Sequence, residues 1–284
     1  MRGADRDTDV TAAPDPAAFD ALLPDAMARK AEQLGVAKAE REPTQLFVLA
    51  VLAGAFIALG AMLSTIAATG TTTALPFGAA RLLVGFSFSL GLILVVVGGA
   101  ELFTGDALMV MAAASGRLPV GRMLRAWAII YVGNFVGASG TALLVFASGQ
   151  GELGGGAVAR TAIALAATKS NLAPLGAFVA GILCNVLVCL AVWLSYSARS
   201  VADKILAVVP PVTAFVAAGM EHSVANMYFI PLGLLLQHAR PALAAPGLTP
   251  LGLVRNLVPV TAGNVVGGAM LVGAVYWFVY LRRR

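Results

Sequence analysis

The chain has 284 residues, 59% of them hydrophobic and 12% charged, with a formal net charge of +5. Soluble domains carry about 25% charged residues, so the composition excludes an ordinary soluble enzyme and makes lipid the main solvent of the surface. The positive residues gather at the ends of apolar runs without interleaved aromatics, which excludes a nucleic-acid footprint and fits topology signals.

Residues 1–44 are polar and mixed in charge, and no apolar stretch between Met1 and Asp15 forms a signal peptide. From Ala18 to Glu40, the residues Phe19, Leu22, Leu23, Met27, Ala31 and Leu34 recur at helical spacing. They predict an amphipathic helix at the membrane face, serving as an anchor or oligomer contact, with gating of the pore as the alternative role. Residues 45–284 read as an all-α integral membrane domain. Hydropathy predicts six spans near 45–68, 80–115, 121–148, 171–198, 203–237 and 250–281, each long enough for the ~20 residues a bilayer requires.

The second and fifth spans are too long and carry polar interruptions. One reads Gly98-Gly99-Ala100-Glu101-Leu102-Phe103-Thr104-Gly105-Asp106, the other Gly219-Met220-Glu221-His222-Ser223-Val224-Ala225-Asn226. Polar, glycine-rich backbone at membrane depth survives only where it is buried in protein or lines a wet cavity, so both spans are predicted to be broken helices. Arg117, Arg122 and Arg125, then Arg199 and Lys204, then Arg282, Arg283 and Arg284 fall on one side. That bias predicts a multi-pass protein of the inner (plasma) membrane with both termini cytoplasmic.

The halves also match. Gly54-Ala55-Phe56 pairs with Gly176-Ala177-Phe178, and Gly133-Asn134-Phe135-Val136-Gly137 with Gly263-Asn264-Val265-Val266-Gly267, with the interruptions between. Three spans per copy force the second copy to insert upside down. The reading is two inverted repeats, 45–148 and 171–281, with a permeation site between the two breaks.

His222 is the one histidine at membrane depth, and an ionisable residue there is a functional candidate. Thr104 in the other break has a hydroxyl that can donate to an anion or to the imidazole. Glu101 and Glu221 would repel an anion, so both are expected to turn away from the lumen and accept hydrogen bonds from loop backbone. Asn134, Asn264 and Asn226 suit tying broken backbone together. Phe88, Leu92, Leu102, Phe103, Val188 and Phe215 are apolar side chains able to constrict a pore. Cys184 and Cys189, five apart on different helix faces, predict packing rather than a disulfide, and no metal or cofactor is expected.

At Ala100-Glu101-Leu102-Phe103-Thr104-Gly105, Gly133-Asn134, Cys184-Asn185-Val186-Leu187-Val188-Cys189 and Gly219-Met220-Glu221-His222-Ser223-Val224-Ala225-Asn226-Met227 the sequence resembles the formate/nitrite transporter family over about residues 17 to 281. The resemblance implies an aquaporin-like protomer with its own pore, assembled as a homopentamer, passing small monovalent anions such as formate, nitrite and hydrosulfide. It leans toward formate. It implies a central site of Thr104 and His222, a pore-facing Asn185 and a vestibule Lys169. It further implies a cytoplasmic-side constriction of Leu92, Leu102, Phe103 and Val188 and an outer aromatic one of Phe88 and Phe215. Asp106 falls two residues after Thr104, where the resemblance implies no fixed residue type.

A bare anion in an apolar ring costs several kcal/mol or more, and its neutral acid far less. The expected passage is therefore proton-linked: the anion is drawn in with help from Lys169 and meets Thr104 and His222. There it shares a proton from His222 or from water. Two rival readings differ from this. Gly137-Ala138-Ser139-Gly140 has the form of an intramembrane serine protease motif, His222 with Asn226 spaces like another of its polar motifs, and His238 is left as the separate general base. A neutral-solute channel of aquaporin type would carry paired Asn-Pro-Ala breaks, which are missing.

Overall fold

The structure is a computed structural model that describes residues 20–282. Ala18 and Phe19 of the amphipathic segment, and Arg283 and Arg284 of the terminal arginine run, lie outside the described residues. Every regular element within them is helical. After α1 (Pro24–Ala39) come α2 (Pro43–Ala68), a short turn α3 (Thr71–Ala74) and α4 (Phe77–Gly98). α4 stops at a break; a 3-10 turn, Gly105–Met109, and α5 (Val110–Ala114) complete that span. α6 (Val120–Ala147) leads to α7 (Leu153–Ser170) and α8 (Pro174–Ser197). The fifth span is split into α9 (Val201–Ala217) and α10 (Ser223–Ala239). The sixth is α11 (Pro250–Val265), continued by a π-helix, Val266–Ala274, into α12 (Val275–Tyr280). At ~1.5 Å per residue, α2, α4, α6 and α8 each cross the ~30 Å of a hydrocarbon core.

Two features differ from the sequence reading. Residues 149–170 read as a connection, but most of them form α7, which packs along α10. α1 packs in the same manner on α5 and the 3-10 turn. Each broken span thus has an extra helix beside its second part. α1 and α7 lie at opposite ends of the unbroken helices and serve below to name the two sides.

The repeat register also differs. A Cβ at Gly133 would meet the Phe47 carbonyl, and one at Gly263 the Phe178 carbonyl. One at Gly137 would meet Val51 O, and one at Gly267 would meet Ile182 O. Phe47 and Val51 therefore hold the places of Phe178 and Ile182, and Gly54-Ala55-Phe56 is not the mate of Gly176-Ala177-Phe178. Small residues are so frequent in these spans that a triplet match carried no register. Gly137 shows what they are for: its would-be Cβ sits 1.9 Å from Val51 O, so α2 and α6 touch backbone to backbone.

Candidate functional site

Both breaks are built alike. α4 ends at Gly99 (φ 80°) and α9 at Gly219 (φ 76°), left-handed positions that favour glycine. Ala100 N then donates back to Val95 O at 3.1 Å, and Met220 N to Phe215 O at 3.0 Å, closing each helix end. The next amides cross to the neighbouring span: Glu101 N to Leu49 O at 3.2 Å and Glu221 N to Ala180 O at 3.3 Å.

One buried asparagine then satisfies each opened backbone. Asn134 Nδ2 donates to Ala50 O (2.7 Å) and Glu101 O (2.9 Å), while its Oδ1 accepts from Phe103 N (2.9 Å). Asn264 repeats this with Gly181 O (2.8 Å), Glu221 O (3.0 Å) and Ser223 N (3.0 Å). The expected tying role of Asn134 and Asn264 is what the geometry displays. Asn226 does something else: its Nδ2 donates to the Glu221 carboxylate at 2.6 Å and to Asn256 Oδ1 at 2.7 Å.

Between the breaks, Thr104 Oγ1 and His222 Nε2 are 2.8 Å apart, both fully enclosed. His222 is also the N-cap of α10, its Nδ1 accepting from Ala225 N at 3.1 Å. A backbone N–H can only donate, so a neutral imidazole here carries its hydrogen on Nε2 and gives it to Thr104 Oγ1. The threonine hydroxyl keeps its own hydrogen for another acceptor. Asn185 Nδ2 holds the Thr104 carbonyl from behind at 3.1 Å and Asn264 O at 2.6 Å, and Cys189 Sγ donates to Thr104 O at 3.3 Å. Cys189 is therefore more than packing.

Two cavities flank this pair. On the α7 side, about 160 Å³ is lined by Phe88, Phe215, His222, Lys169, Glu221 and Arg81 among others. Phe88 and Phe215 meet edge to face with centroids 5.8 Å apart, and Phe215 stacks 6.0 Å from the His222 ring. On the α1 side, about 320 Å³ is lined by Leu92, Leu102 and Gly105 together with Lys30, Lys38, Arg41, Glu101 and Asp106. Phe103 and Val188, expected beside Leu92 and Leu102, line neither cavity. The Phe103 ring instead packs edge-on against Tyr131 (4.9 Å) and Trp127 (6.1 Å) of α6, and Val188 is buried.

The carboxylates depart from expectation. Glu101 and Glu221 accept from side chains, and each faces a cavity. Lys169 Nζ is 2.8 Å from Glu221 Oε1, so its charge is already neutralised. Arg81, read from the sequence only as a topology charge, is the cation of the α7-side cavity without a carboxylate among the described residues; it donates to Ala217 O (2.8 Å) and Val216 O (2.6 Å) at the end of α9. On the α1 side, Lys38 Nζ lies 2.7 Å from Glu101 Oε2 and 2.6 Å from Asp106 Oδ1, and Arg41 lies 3.1 Å from Glu101 Oε1. Burial works to lower the Lys38 pKa, but the Asp106 and Glu101 carboxylates outweigh it and hold the ammonium above the ordinary lysine range. Lys30, which donates to Tyr196 O at 2.9 Å, is shifted down by burial and then by Lys204 and Arg199, a sign of local positive potential.

A model of the family described as Formate/nitrite transporter matches residues 25–278. The chain belongs to the formate/nitrite transporter family. The formate channel FocA of Escherichia coli (strain K12) is 46% identical over 275 residues, covering 93% of this chain and 96% of that protein. FocA of Haemophilus influenzae is 40% identical over 264 residues, covering 89% and 93%. A solved structure described as a pentameric formate channel with formate bound is similar with a TM-score of 0.79 at 38% identity, covering 84% of this chain and 98% of that one. Relatives in the formate/nitrite transporter family are channels and transporters, which sets the protease reading aside. The geometry agrees: Ser139 Oγ donates to Met227 O at 3.0 Å, while both His222 nitrogens are engaged elsewhere.

Proposed function

We propose that this multi-pass membrane protein is a homopentameric channel for small monovalent anions, formate first and nitrite or hydrosulfide next, with the α1 side facing the cytoplasm. The observation that carries the reading is the 2.8 Å contact between Thr104 Oγ1 and His222 Nε2, enclosed between two cavities that each hold an uncancelled cation. Arg81 on one side, and Lys30 and Lys204 on the other, draw an anion in. At the centre the Thr104 hydroxyl donates to it, held in orientation by the imidazole N–H. Leu92 and Leu102 on one approach and Phe88 and Phe215 on the other exclude the hydration shell, so the anion passes with a proton as its neutral acid. The ring cannot give away its Nε2 hydrogen without becoming an imidazolate. Charging it first would need a hydrogen on Nδ1, where Ala225 N–H already points. The neutralising proton therefore arrives through water, and His222 acts as a fixed donor to Thr104.

The test is uptake of formate, nitrite, hydrosulfide and chloride by proteoliposomes at two pH values, with pentamer content checked first. Thr104→Val keeps shape and removes the hydroxyl; His222→Asn keeps an N-cap acceptor and removes the imidazole N–H. Loss of a hydrogen bond to a charged group costs about 1.5–3 kcal/mol, so each variant should lower formate flux by roughly tenfold or more. The double variant should be little worse than either single, because the two groups act as a unit. Additive losses, or unchanged flux in Thr104→Val, would overturn the central role of the pair.

A further inference from the structure

The two halves place different residues at one matching position. Glu101 corresponds to Glu221 and Lys38 to Lys169, each lysine reaching in from the helix beside the broken span. Five residues after each glutamate stands Asn226 in one half and Asp106 in the other. Asn226 donates its amide hydrogen to Glu221 Oε2 at 2.6 Å. Asp106 shares Lys38 Nζ with Glu101, at 2.6 Å against 2.7 Å, which sets the two carboxyls side by side, but an ionised aspartate has no hydrogen to give.

The remaining contacts leave this pair one donor short. Lys38 is shared between the two carboxyls, 2.6 Å from Asp106 Oδ1 and 2.7 Å from Glu101 Oε2. Lys38 hydrogen-bonds Asp106 Oδ1 and only ion-pairs with Glu101 Oε2, and Asp106 Oδ2 is buried with no donor among the described residues. Asp106 is 3% exposed and Glu101 2% exposed. Arg41 engages only the other Glu101 oxygen, at 3.1 Å. The π-helix Val266–Ala274, which packs on the turn carrying Asp106, brings no titratable side chain, and α8 brings only Tyr196 and Cys189. Lys30 and Lys204 look on from across the cavity. An orphaned buried carboxylate oxygen is costly, and two carboxyls gathered on one ammonium are satisfied together by a single O–H between them.

We propose that Glu101 and Asp106 form a proton-binding site at the α1-side mouth of the pore, holding one shared proton in the place where the other half uses the Asn226 amide. The site rests on the channel reading for its consequence and deepens it by naming where a proton is held beside the anion path. The proton comes from water in the α1-side cavity. When it is bound, the mouth carries one more positive charge and attracts anions; as pH rises it leaves, both carboxylates are ionised, and the attraction weakens. Lending it to formate breaks the carboxyl O–H, forms the O–H of formic acid and leaves the charge on the pair, stabilised by Lys38.

The test uses the full-length protein in lipid. Infrared spectra at neutral pH should show a buried carboxylic-acid C=O band that shifts in D2O and disappears in both Asp106→Asn and Glu101→Gln. Asp106→Asn recreates the Asn226 arrangement and should stay folded, with the pH dependence of formate flux from the α1 side flattened relative to wild type. A wild type without the band, or a band surviving in both variants, overturns the proposal, as does an unaltered pH profile in Asp106→Asn. If wild type carries no formate at all, the channel reading falls, while the infrared result still decides the carboxyl pair.

Discussion

Gly137→Ala is expected to destabilise the protein severely, although it adds a single methyl group. The new carbon would sit 1.9 Å from Val51 O, 2.8 Å from Val51 C and 2.9 Å from Ala55 N. All three are backbone atoms of α2, so no rotamer change relieves the clash and the two spans must move apart. Overpacking costs typically reach about 3 kcal/mol, and this contact belongs at or above that end. Gly140→Ala, one turn along α6 with nothing within 4 Å of its would-be Cβ, is the matched control. Thermal unfolding in detergent should separate the two variants by many degrees. Equal midpoints would show that α2 and α6 are not locked backbone to backbone.

The second large effect is expected at Asn264→Leu, which keeps the approximate size and removes every polar contact. It strands Glu221 O and Ser223 N, both previously satisfied by this one side chain, and removes its second bond to Gly181 O, which stays within the α8 helix ladder. Buried groups deprived of partners cost about 1–3 kcal/mol each. Two together are a large share of the stability of a typical domain. The variant should fail to accumulate as folded protein, and Asn134→Leu should behave alike because Asn134 makes the equivalent three bonds. Recovery of Asn264→Leu with a wild-type melting curve would mean that the break between α9 and α10 is held by something else.

The sequence made some of this plain. Polar residues inside apolar runs are expensive, so the interruptions at 98–106 and 219–226 and the asparagines at 134 and 264 stood out against their surroundings. The helix α7 did not stand out. It opens on Gly154, Gly155 and Gly156, all at positive φ, and Arg160 and Lys169 dilute its apolar residues below a membrane-span signal. Missing α7 hid the partner of Glu221, and reading α1 as a surface anchor or oligomer contact hid the partners of Glu101. Lys38 lies 68 residues from Asp106, and Lys169 lies 52 from Glu221. No local spacing encodes such pairs. Each lysine does sit near the end of the helix that precedes an unbroken span, a recurrence visible in the sequence once both helices are recognised. Phe103 shows the opposite limit: an aromatic beside Thr104 could point to the lumen or to α6, and only the positions of Tyr131 and Trp127 decide it.

The doubled frame has a further consequence. A scaffold whose halves are related by inversion offers the same backbone to a solute arriving from either face, so by itself it cannot favour one direction of travel. Any rectification in this chain has to arise where the halves carry different side chains. At the breaks those differences include Leu102 where the other half has His222, Phe103 where it has Ser223, Thr104 where it has Val224, and Asp106 where it has Asn226. Substitutions of this kind set the donor, its orienting partner and the charge at one mouth, and they make the two entrances chemically unequal.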